Sequence, residues 1–199
     1  MPKLAIPAYV EEIREKCTSI DDAVEIILEA NKITAPPINV VKIANDMKFK
    51  VYSVDFKDEN VVGIIVDSEK PLERFDNHQR VIAIDRRSYT TRTLFTIAHE
   101  IGHFVMHCGD MDDFFQRDVY GDSNSIDKRS PMEKKADKFA ACLLLPKKMF
   151  IDFVLNCPFY KAADEKKLIQ AIQKTFIVSE TTAFLRLKEV DLNYNERYT

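Results

Sequence analysis

The four cysteines of this 199-residue chain, Cys17, Cys108, Cys142 and Cys157, include no C-x-x-C pair. They read as small apolar core residues of a protein kept in a reducing compartment, not as a disulfide framework. Long apolar runs are absent too: no stretch approaches the roughly 20 residues that a membrane span needs. The opening MPKLAIPAYVEEIREKC holds no apolar run of the kind a signal peptide carries. An excess of positive charge is also missing. The net charge of −3 leaves no overall basic field to draw the chain to nucleic acid or to a membrane surface. Internal repeats and low-complexity segments do not occur. A cytoplasmic, soluble protein is the expectation. At this length it forms one domain, or one with a small appendage, able to bury most of its apolar surface without staples.

What is present is a succession of short, well-punctuated elements. A helix is expected from Ala8 to about Cys17, and a second up to Asn31, with Ser19 as N-cap and Asp21 and Asp22 in its first turn. Pro36 and Pro37 break the pattern before Asn39 opens another helix. Three strands follow, at Phe49–Val54, Val61–Val66 and Arg80–Ile84. The second is apolar throughout, as a strand buried on both faces would be. A helix from about Thr91 to His107 leads into an Asp-rich segment, Gly109 to Ser130, whose composition suits a loop over a site. Ser130-Pro131-Met132-Glu133 has the N-cap, first-position proline and capping-box acid of a helix start, and that helix stops at Pro146. Further helices are expected at Lys147–Leu155, Ala162–Thr175 and Glu180 to about Val190. Helices, then three strands, then helices give an α+β class, mainly helical, with a small three-stranded sheet beside one long helix.

That helix carries the chemistry. His99-Glu100-Ile101-Gly102-His103 has the H-E-x-x-H spacing. At about 100° per residue the two histidines stand about 40° apart, one turn removed, so both imidazoles reach one ion. Glu100 lies about 100° round from His99, beside the ion, where a carboxylate can take a proton from water. Leu94, Ile97, Ala98, Ile101, Phe104, Val105 and Cys108 form the opposite, core-facing side. Gly102, costly inside a helix, is expected where another backbone or a substrate comes close.

A catalytic zinc keeps three protein ligands and one open position. Candidates for the third are His107, Asp110 or Asp112, Glu133 and Asp137. His107 lies about 12 Å along the axis from His99, too far for a straight helix to bring both to one ion. It is better placed at the rim. Glu133 and Asp137 stand i, i+4 on the next helix and point one way. Glu133 can ligate while Asp137 accepts the outer N–H of a ligating histidine, which fixes its tautomer. Ala136, Phe139, Ala140, Leu143 and Leu144 provide that helix with a face to dock on the first.

H-E-x-x-H followed by Glu133-x-x-Ala136-Asp137 resembles the gluzincin pattern of thermolysin-like peptidases. More narrowly the chain resembles the ImmA/IrrE family of small intracellular metallopeptidases. The matching stretches are Pro37–Ala44 leading into Phe49–Val51, Arg92–His103 with His107, Glu133–Ala140 with Leu143–Pro146, and Val178-Ser179 with Arg186-Leu187. The resemblance spans roughly residues 35 to 190. It implies a minimal zincin-type domain over 35–160, preceded by a helical extension (1–34) and followed by a helical cap (161–199). It implies Zn²⁺ held by His99, His103 and Glu133, with Glu100 as general base. Asp137 occupies a position where the family often has Asn or Asp. The implied partner is a helix-turn-helix repressor encoded nearby, in a mobile element or a stress response, and cut to release transcription.

Two other details belong to this expectation. The strand Arg80–Ile84 is a candidate to hold an extended substrate by strand addition, and His107 or Tyr120 to donate to an oxyanion. A rival class is regulation without proteolysis, through DNA or a bound partner. Leu168–Thr175 and Glu180–Val190 have helix-turn-helix spacing, but the second helix carries Glu180 and Glu189 beside Arg186 and Lys188, too little basic surplus for phosphate contacts. No direct nucleic-acid or membrane contact is expected. Oligomeric state is not legible.

Overall fold

Five helices begin where a polar side chain closes the first turn: Ser19, Asn39, Ser130, Asp164 and Ser179 each accept from the backbone N–H three residues on. The computed structural model describes residues 4–107, 114–119 and 130–190, with His107 and 114–119 described as backbone only. The order is α1 (Ala8–Lys16), α2 (Ile20–Ala30), α3 (Val40–Asp46), β1 (Lys50–Val54), β2 (Val61–Leu72), β3 (His78–Asp85), α4 (Thr90–His107), β4 (Phe114–Val119), α5 (Pro131–Leu144), α6 (Lys147–Asn156), α7 (Pro158–Lys161), α8 (Glu165–Phe176) and α9 (Glu180–Glu189). The fold is α+β and mainly helical, as expected.

The three expected strands are present and a fourth joins them. The sheet order is β1-β3-β2-β4, with β1 parallel to β3 and β2 antiparallel to both neighbours. β4 comes from the polar segment read from sequence as a loop. Its backbone pairs with β2 from Val61↔Val119 to Asp67↔Phe114, because β2 would otherwise leave a row of amides unpaired. The order also corrects the substrate strand. β3 contains Arg80–Ile84 and lies between β1 and β2, so its hydrogen-bonding groups are engaged on both sides. It has no edge for a further strand.

The helix expected at Ala162–Thr175 begins later, at Glu165, and a single turn, α7, precedes it. Asp164 is the stronger cap, and Ala163 takes a left-handed conformation (φ 53°) that breaks the helical path between the two.

One apolar cluster joins helices α1 to α9 to strands β2 and β3. It includes Val10 and Ile13 of α1, Ile27 of α2, Ile65 of β2, Ile101 and Phe104 of α4, Phe139 of α5 and Leu187 of α9. Gly102 has its explanation here. A Cβ on it would lie 3.0 Å from Phe139 Cδ1, so the close neighbour is a side chain of α5, not a backbone or a substrate. The missing methyl lets α4 and α5 approach closely.

Arg186 ties the C-terminal helix pair down. It is 1% exposed, donates from Nε to Leu145 O at 3.1 Å and from its terminal nitrogens to Asp21 at 2.8 Å and Glu189 at 3.1 Å. The most distinctive cation of the supposed recognition helix is therefore turned inward. Burial pushes the Asp21 carboxyl up, but the hydrogen bond and charge of Arg186 outweigh it and hold the group below its usual range. A depressed folded-state value means stability present at neutral pH and lost as pH falls through that value. Arg186→Met is expected to cost about 2–3 kcal/mol at pH 7. The gap to the unsubstituted chain should narrow below about pH 4. Urea melts at neutral and acidic pH measure both; a gap that widens in acid would contradict the pairing.

Candidate metal centre

Helix α4 is amphipathic, and its polar stripe is buried instead of wet: His99 is 1% exposed, and Glu100 and His103 are 0%. Burying three such groups together is costly unless each is engaged. The two imidazoles meet edge to face, and their Nε2 atoms are 2.9 Å apart. Helix α5 packs on α4, with Phe139 against Gly102, and brings Glu133 across both rings. Its carboxylate oxygens lie 3.2 Å from His99 Nε2 and 3.3 Å from His103 Nε2. Ser130 starts α5 by accepting from Glu133 N at 3.2 Å, so the capping geometry also fixes where Glu133 leaves the helix.

These three residues form a metal-capable cluster, with one ligand atom from each all within 4.8 Å of one another. The spacing can be tested against an ion. Four donors held tetrahedrally at about 2.0–2.1 Å stand about 3.3 Å apart. Separations of 2.9, 3.2 and 3.3 Å fit that arrangement, with the two nitrogens slightly close. The donor set, two imidazoles and a carboxylate, suits zinc. Asp137, one turn beyond Glu133, lies 2.9 Å from His99 Nδ1. With the Nδ1 proton donated to that carboxylate, the lone pair of His99 is left on Nε2, facing the cluster. Burial pushes the Glu133 carboxyl up, but hydrogen bonds and charge from His103 and His99 prevail and hold it well below the usual range.

Glu100 stands apart from this cluster and faces the sheet. Its Oε1 would be 2.8 Å from a Cβ on Gly63 of β2, and Thr96 Cγ2 would be 2.4 Å from the same atom. Sequence reading assigned Gly63 no role. The available signal was a glycine inside an apolar strand, which marks a close approach of another chain segment. Gly63→Ala is expected to force β2 and α4 apart or to turn the Glu100 carboxylate. It should cost about 1–3 kcal/mol by thermal melting, with zinc uptake retained and any hydrolysis lost in larger proportion than folded protein. Unchanged stability together with unchanged turnover would contradict this packing.

The structure thus brings His99, His103, Glu133 and Asp137 together with Glu100 beside them. His107 ends α4, but its side chain lies outside the described residues, as do Tyr120, Asp110 and Asp112 entirely. Asp137 contacts His99 and not the convergent point.

The peptidase M78 family, described as the IrrE N-terminal-like domain, matches residues 47–188. The chain belongs to this family. All five residues of the M78 site described above fall within the matched span. No curated protein sequence matches the chain. Among solved structures, a Mycobacterium tuberculosis transcriptional regulator aligns at 14% identity with a TM-score of 0.49, covering 90% of this chain and 58% of that one. The M78 chain therefore spans somewhat over half the length of that structure. No described helix of it is long and apolar enough to cross a membrane.

Proposed function

We propose that this M78 protein is a zinc-dependent endopeptidase of the cytoplasm whose substrate is a helix-turn-helix repressor encoded nearby. The observation that carries the reading is the meeting of His99 Nε2, His103 Nε2 and Glu133 at ligand spacing, with Glu100 adjacent but outside the set. His99, His103 and Glu133 hold the ion, and Asp137 keeps His99 in the ligating tautomer. A bound zinc ion supplies Lewis acidity, which acidifies water and polarises a peptide carbonyl. Glu100 takes the proton from the attacking water and returns it to the leaving amine. Its complete burial against Gly63 and Thr96 fixes the carboxylate and excludes bulk solvent from it. The choice of a repressor as substrate rests on the family resemblance; the inward-turned Arg186 favours a partner chain over direct DNA contact.

The test is to incubate the full chain, loaded with zinc, with the repressor encoded by the adjoining reading frame. Discrete cleavage is expected, stopped by a chelator and restored by zinc. An intact repressor in the presence of stoichiometrically bound zinc would overturn the substrate assignment. Failure to bind zinc would overturn the reading as a whole.

A further inference from the structure

His103 stands directly before the last turn of α4, which ends at His107. The last four carbonyls of a helix lack partners within it and carry the negative end of its dipole. Here a cation from far upstream meets them. Arg14 of α1 donates from a terminal nitrogen to Phe104 O at 2.5 Å and from Nε to Val105 O at 3.3 Å. Phe104 and Val105 are the two residues that follow His103. The planar fork of a guanidinium can bond neighbouring carbonyls at once, and a charged donor bonds more strongly than a neutral one.

The same group reaches the side chain next to His103. Arg14 Cζ lies 5.2 Å from the centre of the Phe104 ring, and Arg80 Cζ lies 5.1 Å from it. Phe49 meets that ring edge to face at 4.8 Å. Phe104 is fully buried. Arg80 in turn donates to Leu4 O and Ala5 O. The stretch ahead of the first strand therefore holds the end of the metal helix in two ways. Arg14 bonds its carbonyls, and Arg80, bonded to residues 4 and 5, covers its ring. The M78 match begins at residue 47, so Arg14 lies ahead of it, while the metal-binding side chains lie within it.

We infer that Arg14 is a positioning residue of the metal centre: by capping the last turn of α4 it keeps His103 Nε2 at ligand spacing from His99 and Glu133. The inference rests on the zinc reading above. It gives α1 a part in metal binding although α1 supplies no ligand. Without the cap the last turn of α4 frays, and His103 is left less fixed. An ion that binds must then order that ligand, and the conformational entropy lost appears as weaker affinity.

The experiment reads zinc affinity and local opening apart from turnover. Zinc dissociation constants of the full chain are measured by competition with a chromophoric chelator, beside amide hydrogen exchange of the metal-free protein. Arg14→Met keeps the apolar stem. It is expected to weaken zinc binding about tenfold, the scale on which metal sites answer the loss of a group that orients a ligand. Exchange should quicken at residues 104–107 and stay as it was at residues 94–98. Arg14→Lys keeps the charge but not the fork, and should recover part of the affinity. Tyr9→Phe is the control for a general loosening of α1. It removes the 2.7 Å bond from Tyr9 to Asp46 that ties α1 to α3, and leaves Arg14 in place. Its zinc affinity should match that of the parent. Equal zinc binding by Arg14→Met and the parent, unchanged exchange at residues 104–107, or an equal loss in Tyr9→Phe overturns the inference. Zinc binding that depends on Arg14 in a chain that cleaves nothing leaves the inference standing and sinks the peptidase reading. Cleavage with a zinc affinity indifferent to Arg14 does the reverse.

Discussion

Glu100→Gln is expected to bind zinc as tightly as the unsubstituted chain and to lose hydrolysis by about 10²- to 10⁴-fold, the range for removing a positioned general base. The substitution is nearly isosteric, so the close packing against Gly63 and Thr96 is kept. It leaves untouched the three side chains that converge at ligand spacing, His99, His103 and Glu133. An amide cannot take a proton from water at neutral pH, so the loss should fall on turnover and not on peptide affinity. Glu133→Gln provides the contrast. It replaces the anion that spans both Nε2 atoms at 3.2 and 3.3 Å, so metal content should fall together with activity. Zinc analysis and calorimetric titration, run beside a cleavage assay, separate the two outcomes. Full turnover by the Glu100→Gln protein would falsify the mechanism.

Arg80→Met is expected to produce the largest loss of stability, about 3–5 kcal/mol, the cost of removing one partner of a buried ion pair. Arg80 is 0% exposed and Asp67 3%. The guanidinium grips the carboxylate with Nε–Oδ1 at 2.9 Å and a second bond at 3.3 Å. It also donates to Leu4 O at 2.8 Å, Ala5 O at 3.0 Å and Met47 O at 3.3 Å. Its face lies 5.8 Å from the ring of Phe49 and 5.1 Å from that of Phe104. Methionine keeps much of the apolar stem but leaves Asp67 buried and uncompensated. The double variant Arg80→Met with Asp67→Leu should recover part of the loss, since no charge is then stranded, but not all, because three carbonyls lose their donor. Urea melts of the three variants make the comparison. A single-variant loss below about 1 kcal/mol would mean that water reaches the pair. Phe104 follows His103 directly, so the weakened packing is also expected to loosen the metal helix.

What local spacing governs was legible. The caps at Ser19, Asn39 and Ser130 and the helical register of His99 and His103 depend on residues within one or two turns. So does the common direction of Glu133 and Asp137. The α+β class and the family resemblance followed from them, and α4 itself begins within a residue of the expected place.

Partners across the fold were not written in those spacings. Glu133 was one candidate among several until α5 docked on α4, with Phe139 filling the space that Gly102 leaves. β3 looked suitable for strand addition until β1 and β2 took both its edges. Gly63 had no meaning until α4 laid Glu100 against it. In the same way the C-terminal pair had the spacing of a DNA reader until Arg186 was found bonded inward to Asp21 and Leu145. By itself the sequence determined which side chains each helix offers together, because helical periodicity is set by backbone hydrogen bonds between near neighbours. Only the tertiary structure decided which offers meet, because strand order and helix docking are settled by burial between residues far apart in the chain.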